Sequence, residues 1–209
     1  MSWKHRAERA YHHGNLREAL IQAARELIKE KGPAGFTFAD AARSAGVSAA
    51  APYRHFRDRE ALLADVAREG FGRFEAMLST GWNNGKPDPM TAFGNVGKAY
   101  LAFAASEPAY YAAMFEAGLP PDADADLRAA SDRAFSVLRG AAEALSALLP
   151  ANKRPPALMM SLHVWAIAHG IASLFGRGDA GRRKLPIPPD ELLESAVLIY
   201  LQGLGFSAP

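Results

Sequence analysis

The stretch Gly32–Leu62, GPAGFTFADAARSAGVSAAAPYRHFRDREAL, decides the fold. It reads as the end of one helix, a short second helix, a glycine turn, an aromatic third helix and a freshly capped fourth. Gly32-Pro33 stops a first helix expected from about Asn15 to Lys31, because proline cannot continue the hydrogen-bond ladder. On that helix Leu16, Leu20, Ala23 and Leu27 share one face at helical spacing. Thr37 offers an N-cap for a helix over Phe38–Ala45, with Asp40 at the reciprocal capping position. Gly46 then supplies the residue that a left-handed backbone favours. Ser48 is expected to cap a third helix over about Ala49–Phe56, and Asp58 a fourth running on to Met77. Two short helices joined by a tight glycine turn form a helix-turn-helix, whose second helix is shaped to enter the DNA major groove.

On a helix starting near Ala49, residues four apart share a face. Pro52 and Phe56 should point inward, with Val47 and Leu63 around them. Ala49, Ala50, Tyr53 and Arg54 should then point outward. Proline is tolerated there because an N–H in the first turn forgoes little intrahelical bonding, although it can bend that turn. Arg54 can bond a guanine edge in bidentate fashion or pair with a phosphate. Tyr53, His55 and Arg59 suit the DNA backbone, and the alanines allow close approach and methyl contacts to thymine. Thr37, at the start of the second helix, suits phosphate capture.

The chain has 209 residues, of which 49% are apolar and 22% charged, as in an ordinary soluble globular protein. It contains no Cys, which excludes disulfides and thiolate metal sites and makes a reducing, cytoplasmic setting the default. No apolar leader is visible at the start. The net charge of +2 hides an asymmetry: residues 1–59 carry eleven Lys and Arg against six Asp and Glu, and the remainder thirteen against sixteen. A basic front on an acidic body fits a nucleic-acid-binding head. Residues 1–13 read as a flexible basic arm in which Lys4, Arg6 and Arg9 are either groove contacts or a plain tail.

Residues 14–77 are expected to form the DNA-binding domain and 78–209 a larger helical body, with Gly81–Pro89 (GWNNGKPDP) as the break. Helical patterns follow at about 90–106, 108–116, 124–149, 156–176 and 189–204, separated by prolines. No strand alternation is found, so the fold class is all-α. The nineteen residues Ala157–Phe175 carry no Asp, Glu, Lys or Arg and approach the length of a membrane span. Their histidines, serines and alanines favour instead an interface helix buried nearly all round. Leu158, Leu162, Trp165, His169 and Ala172 share one face of it, and the last helix offers Leu193, Val197, Tyr200, Leu201 and Leu204.

The residues Gly35-x-Thr37, Ala42-x-x-Ala45-Gly46-Val47-Ser48, Tyr53-Arg54-His55-Phe56 and Asp58-Arg59-Glu60-Ala61-Leu62-Leu63 together resemble the DNA-binding domain of the TetR family of bacterial transcription regulators, over about residues 14–65. Ala41 and Pro52 depart from that pattern, standing where a large aliphatic and a leucine are usual. The resemblance implies phosphate contacts by Tyr53, His55 and Arg59, with double-stranded, pseudo-palindromic DNA as partner. It also implies a homodimer formed by the last two helices and a small-molecule effector cavity in the body. Trp165-x-x-x-His169-Gly170 resembles a subgroup of the same family. The aromatic-rich region (Phe93, Tyr100, Phe103, Tyr111, Phe115 and Phe135, with Trp165 and His169) is where such a cavity is expected. Taken singly, each of these residues reads as core. The few polar groups there suggest an apolar or aromatic effector.

No HExxH, P-loop, GxSxG or dinucleotide-binding glycine pattern occurs, so an enzyme is not expected. His163 and His169 lie on different sides of their helix, and neither a metal nor a cofactor is expected. The reading is a homodimeric, effector-released repressor. Its alternatives are a sensor or scavenger with a vestigial head, and a helical enzyme using the aromatic region.

Overall fold

A computed structural model describes residues 16–120, 124–175 and 186–206. The basic arm and His12-His13 lie outside them. Among the described residues the chain is helical without strands. Its α-helices are α1 (Leu16–Lys31), α2 (Phe38–Ser44), α3 (Arg59–Trp82), α4 (Pro89–Ser106), α5 (Pro108–Phe115), α6 (Ala125–Ser146), α7 (Ala157–Phe175) and α8 (Pro189–Gly203). The prolines and caps read from the sequence place most of these ends within a residue or two. Asp58, for example, starts α3 by accepting from the Ala61 N–H, and Asp88, a cap not read from the sequence, starts α4 by accepting from the N–H groups of Met90 and Thr91.

The chain packs as two compact units. One runs to Gly70 and takes in Ala109–Arg128; the other comprises Phe71–Pro108 and the residues from Ala129 on. The division therefore falls inside α3, whereas the sequence places it at Gly81–Pro89. The reason is topological: Asn83 and Asn84, both at positive φ, end α3 and turn the chain, but α4 returns to the same unit. The sequence also has no local sign that α5, well beyond the turn, belongs with the first unit.

In the first unit α1 packs on α2 and on the turn that follows it. Leu20, Ala24, Ile28, Ala41, Leu62 and Val66 are completely buried, with Phe36 and Phe56 nearly so. Asp65 is a buried carboxylate ion-paired to Arg17 and, at 2.5 Å, to Arg68. Such a pair is tolerated inside because both charges are matched. Tyr110 of α5 is completely buried, donates to Glu69 of α3 at 2.5 Å and carries the Arg25 guanidinium over its ring.

The second unit is built on α4, which contacts α7 and α8. Phe93, Val96, Tyr100 and Phe103 from α4 meet Met160, Val164 and Ala168 from α7 in a core almost without solvent. The α7 helix is long and apolar enough to cross a membrane by length and composition, but a third of its apolar window (33%) is buried within the chain. The remaining residues are half-buried, as Trp165, Ile167 and His169 are, or exposed, as Leu158, Met159, Leu162 and Leu174 are.

Candidate nucleic-acid interface

The interface begins with a well-determined α2. Thr37 accepts from the Asp40 N–H at 3.1 Å, while the Asp40 carboxylate accepts from the Thr37 N–H at 2.9 Å and from its hydroxyl at 2.7 Å. These bonds hold the Asp40 carboxyl below the usual carboxylate range, the backbone N–H of Thr37 contributing most. At the other end Val47 N–H reaches back to Ala42 O and Gly46 N–H to Arg43 O, with Gly46 at φ +71°. This pair of bonds closes a helix over a left-handed residue, which only glycine adopts without strain.

The third helix is shorter than the sequence suggests. Instead of an α-helix over Ala49–Phe56, a single 3-10 turn spans Ala51–Arg54. Its N-cap is Ala50 with no side-chain bond, so the expected cap by Ser48 is not made. Pro52 explains the change. An α-helix needs the residue-52 N–H to bond the Ser48 carbonyl, proline has none, and that carbonyl accepts instead from Ala51 at 3.0 Å. Pro52 itself is fully buried and Phe56 is 4% exposed, so the inward set is as the periodicity predicts.

The outward set is also as predicted. Thr37, Ser48, Ala49, Ala50, Arg54 and His55 are all exposed. Tyr53 is 64% exposed, its ring held edge-on against Phe38 with centroids 5.0 Å apart. Arg54 and His55 have no side-chain partner among the described residues. The turn therefore presents a phenol, a guanidinium and an imidazole beside small side chains, on a base fixed by Pro52 and Phe56.

Arg59 is the exception. Its guanidinium donates to the carbonyls of Phe36 (2.8 Å) and Pro33 and stacks over the Phe36 ring, so it clasps the loop between α1 and α2. These bonds engage two of its five N–H donors, a clasp that the sequence did not show. The cations that sequence reasoning passed over are Arg43 and Arg57, whose side chains are 77% and 86% exposed. Arg57 is bonded to Asp58, which accepts from the Ala61 N–H to start α3.

The residues expected around a cavity separate into two groups. Tyr111 and Phe115 pair with rings 5.0 Å apart in the first unit. In the second unit the Tyr100 hydroxyl bonds His169 Nδ1 at 2.8 Å, His169 lies 5.7 Å from Trp165, and Trp165 lies 6.4 Å from Phe135. Phe74 joins this row against Tyr100 and Phe103, 5.1 and 5.0 Å away, and was not singled out from the sequence. Its position on the long α3 gives no local hint of that role.

Residues 20–66 match the family description "Bacterial regulatory proteins, tetR family", and residues 93–200 match "Tetracyclin repressor-like, C-terminal domain". The chain belongs to the TetR family. A curated relative, the HTH-type transcriptional repressor KstR2 of Mycolicibacterium smegmatis, is 32% identical over 68 residues. That match covers 31% of this chain and 33% of the repressor, so the chain spans about a third of the curated relative it matches. A Rhodococcus sp. RHA1 protein of unknown function has a solved structure of the same fold, with a TM-score of 0.76 and 31% identity over 94% of this chain and 98% of that one. The TetR family regulator PfmR of Thermus thermophilus shares the fold at 19% identity, with a TM-score of 0.67 over 90% of this chain and 99% of its own.

In this TetR-family chain Leu158 and Leu162 on α7 face outward as expected, but three of the residues named on α8 do not. Leu193, Val197 and Leu201 are at most 9% exposed and face inward, Leu193 filling the space left by the missing side chain of Gly97 on α4. They are intrachain core rather than a free interface. The exposed apolar residues are Leu158, Met159, Leu162 and Leu174 on α7 and Leu198 and Ile199 on α8, with Ile199 67% exposed. Trp165, Tyr200 and Leu204 are half-buried. His163 Nδ1 and the Tyr200 hydroxyl, 3.1 Å apart, tie the two helices together, and burial pushes the Tyr200 hydroxyl up.

Proposed function

We propose that this TetR-family regulator is a cytoplasmic homodimeric repressor that reads a pseudo-palindromic operator and is released by a small apolar or aromatic effector. The observation that carries the reading is the exposed Tyr53-Arg54-His55 face on a turn anchored by buried Pro52 and Phe56. Arg54 reads a guanine edge, Tyr53 and His55 hold phosphates, and the alanine run lets the turn come close to the groove. Two such heads, set about 34–36 Å apart, engage successive major grooves. The outward apolar residues of α7 and α8 supply the dimer face, since an obligate interface resembles a core cut in half. An effector at the Tyr100–His169–Trp165 row acts by binding the DNA-free conformation better, and only by as much as its affinities for the two states differ.

The test is fluorescence anisotropy of the full chain on labelled DNA from immediately upstream of its own gene, with excess unrelated DNA, followed by selection from the whole genome. Saturable binding of one dimer, weakening steeply as salt rises, is the expected result. No preference for any fragment in either experiment would overturn the regulator reading.

A further inference from the structure

The α4 and α8 helices part company along their length. At Gly97 an added Cβ would stand 3.0 Å from Leu193 Cδ2, so there the helices touch. One turn earlier, at Gly94, an added Cβ would meet nothing within 4 Å. Between these two glycines and the start of α8 the helices enclose a wedge-shaped groove of about 220 Å³. Its floor is Phe93, Val164, Leu193, Val197 and Leu201, all apolar. The rim carries Asp190, Glu194 and Lys98 beside the polar Thr91 and Asn95 and Leu198 of the outward face of α8. Lys98 Nζ lies 3.5 Å from Glu194 in an exposed pair, and with Asp190, exposed in the first turn of α8, the rim carries one more carboxylate than ammonium.

We propose that this groove is a small-molecule site for a compact cationic amphiphile: a single ring or short chain on the apolar floor, with an ammonium group at Asp190. The chemistry follows from the two ends. The floor rewards a body without polar atoms, and the surplus carboxylate rewards a positive head and repels an anion. The size follows from the volume, which is below the roughly 300–1,000 Å³ of pockets for drug-sized ligands. The site is separate from the Tyr100–His169–Trp165 row and stands whether or not the chain binds an operator.

The probe is 2-phenylethylammonium, titrated calorimetrically into the full chain, with 3-phenylpropionate as its anionic counterpart. Two variants locate the binding. Gly94→Leu fills the open end of the groove at a position where a side chain meets no neighbour, and circular dichroism checks that the helices persist. Asp190→Asn removes the charge while keeping the shape. Saturable binding of the ammonium is expected, with at least tenfold loss in each variant and no measurable binding of the anion. Binding that is unchanged in Gly94→Leu would overturn the proposal, as would absence of binding to the native chain at millimolar probe or equal binding of the anion. A Gly94→Leu variant whose main change is dissociation in sedimentation would also overturn it, showing the groove to be covered by a second copy.

Discussion

Arg54 and Arg59 are the same residue type five positions apart in different surroundings, Arg54 exposed and Arg59 half-buried. Arg59 spends two of its donors on backbone carbonyls and stacks on Phe36. Arg59→Ala is therefore expected to lower the stability of the first unit by about 1–3 kcal/mol, the cost of leaving such carbonyls unpaired. Chemical denaturation would read this, while the salt dependence of DNA binding by the folded variant should stay that of the native protein. Arg54→Ala should do the reverse. It should leave the denaturation curve in place and weaken operator binding by about 1–3 kcal/mol, the usual cost of one bidentate base contact. If Arg54→Ala binds as tightly as the native protein, the recognition turn is assigned to the wrong face.

At the scale of the element, Asp40, Asp58, Asp88 and Asp124 each place at a helix start a carboxylate that accepts from a backbone N–H group. Asp40, Asp58 and Asp88 are all held below the usual carboxylate range. The main causes are the N–H groups of Thr37, Ala61 and Thr91 respectively, with the Thr37 hydroxyl, Arg57 and the Thr91 hydroxyl next. A group whose folded pKa is depressed contributes stability that is full above its unfolded value and disappears as pH falls through the folded one. The thermal midpoint should accordingly decline as pH drops below about 4. That decline should be shallower in a variant carrying Asn at all three positions. An identical pH profile in that variant would show that the caps do not contribute. The Thr37→Ala change removes one half of the reciprocal cap and should cost about 0.5–2 kcal/mol at neutral pH.

For the whole molecule, the informative contrast lies within α8. Ile199 is 67% exposed and Val197 9% exposed, two residues apart on one helix. Ile199→Asp should leave each chain folded and halve the sedimenting mass, with loss of high-affinity operator binding, because two heads must engage together. Val197→Asp places a charge inside the core of the second unit and should unfold it rather than merely separate the subunits. A dimer that survives Ile199→Asp would mean that the face formed by α7 and α8 is not the interface.

By itself the sequence determined the all-α class, most helix limits, the capping box on α2, the glycine turn and the inward and outward faces around Pro52 and Tyr53. Each of these is a local consequence: a missing N–H, a positive φ or a side chain repeating every three to four residues. Tertiary structure alone decided which unit holds α5 with Tyr111 and Phe115, the clasp made by Arg59, the row of Tyr100, His169 and Trp165, and the face of α8 spent inside the chain. Those choices depend on partners far away in sequence. A helix apolar on most sides, such as α7 or α8, carries no mark of which side its own chain will cover. A cation near a helix start likewise carries no mark of the carbonyls that folding will bring within reach. Pro52 lies between the two cases, since its lost hydrogen bond was legible but its shortening of the recognition helix to one 3-10 turn emerged only when Ala51 took the vacant carbonyl.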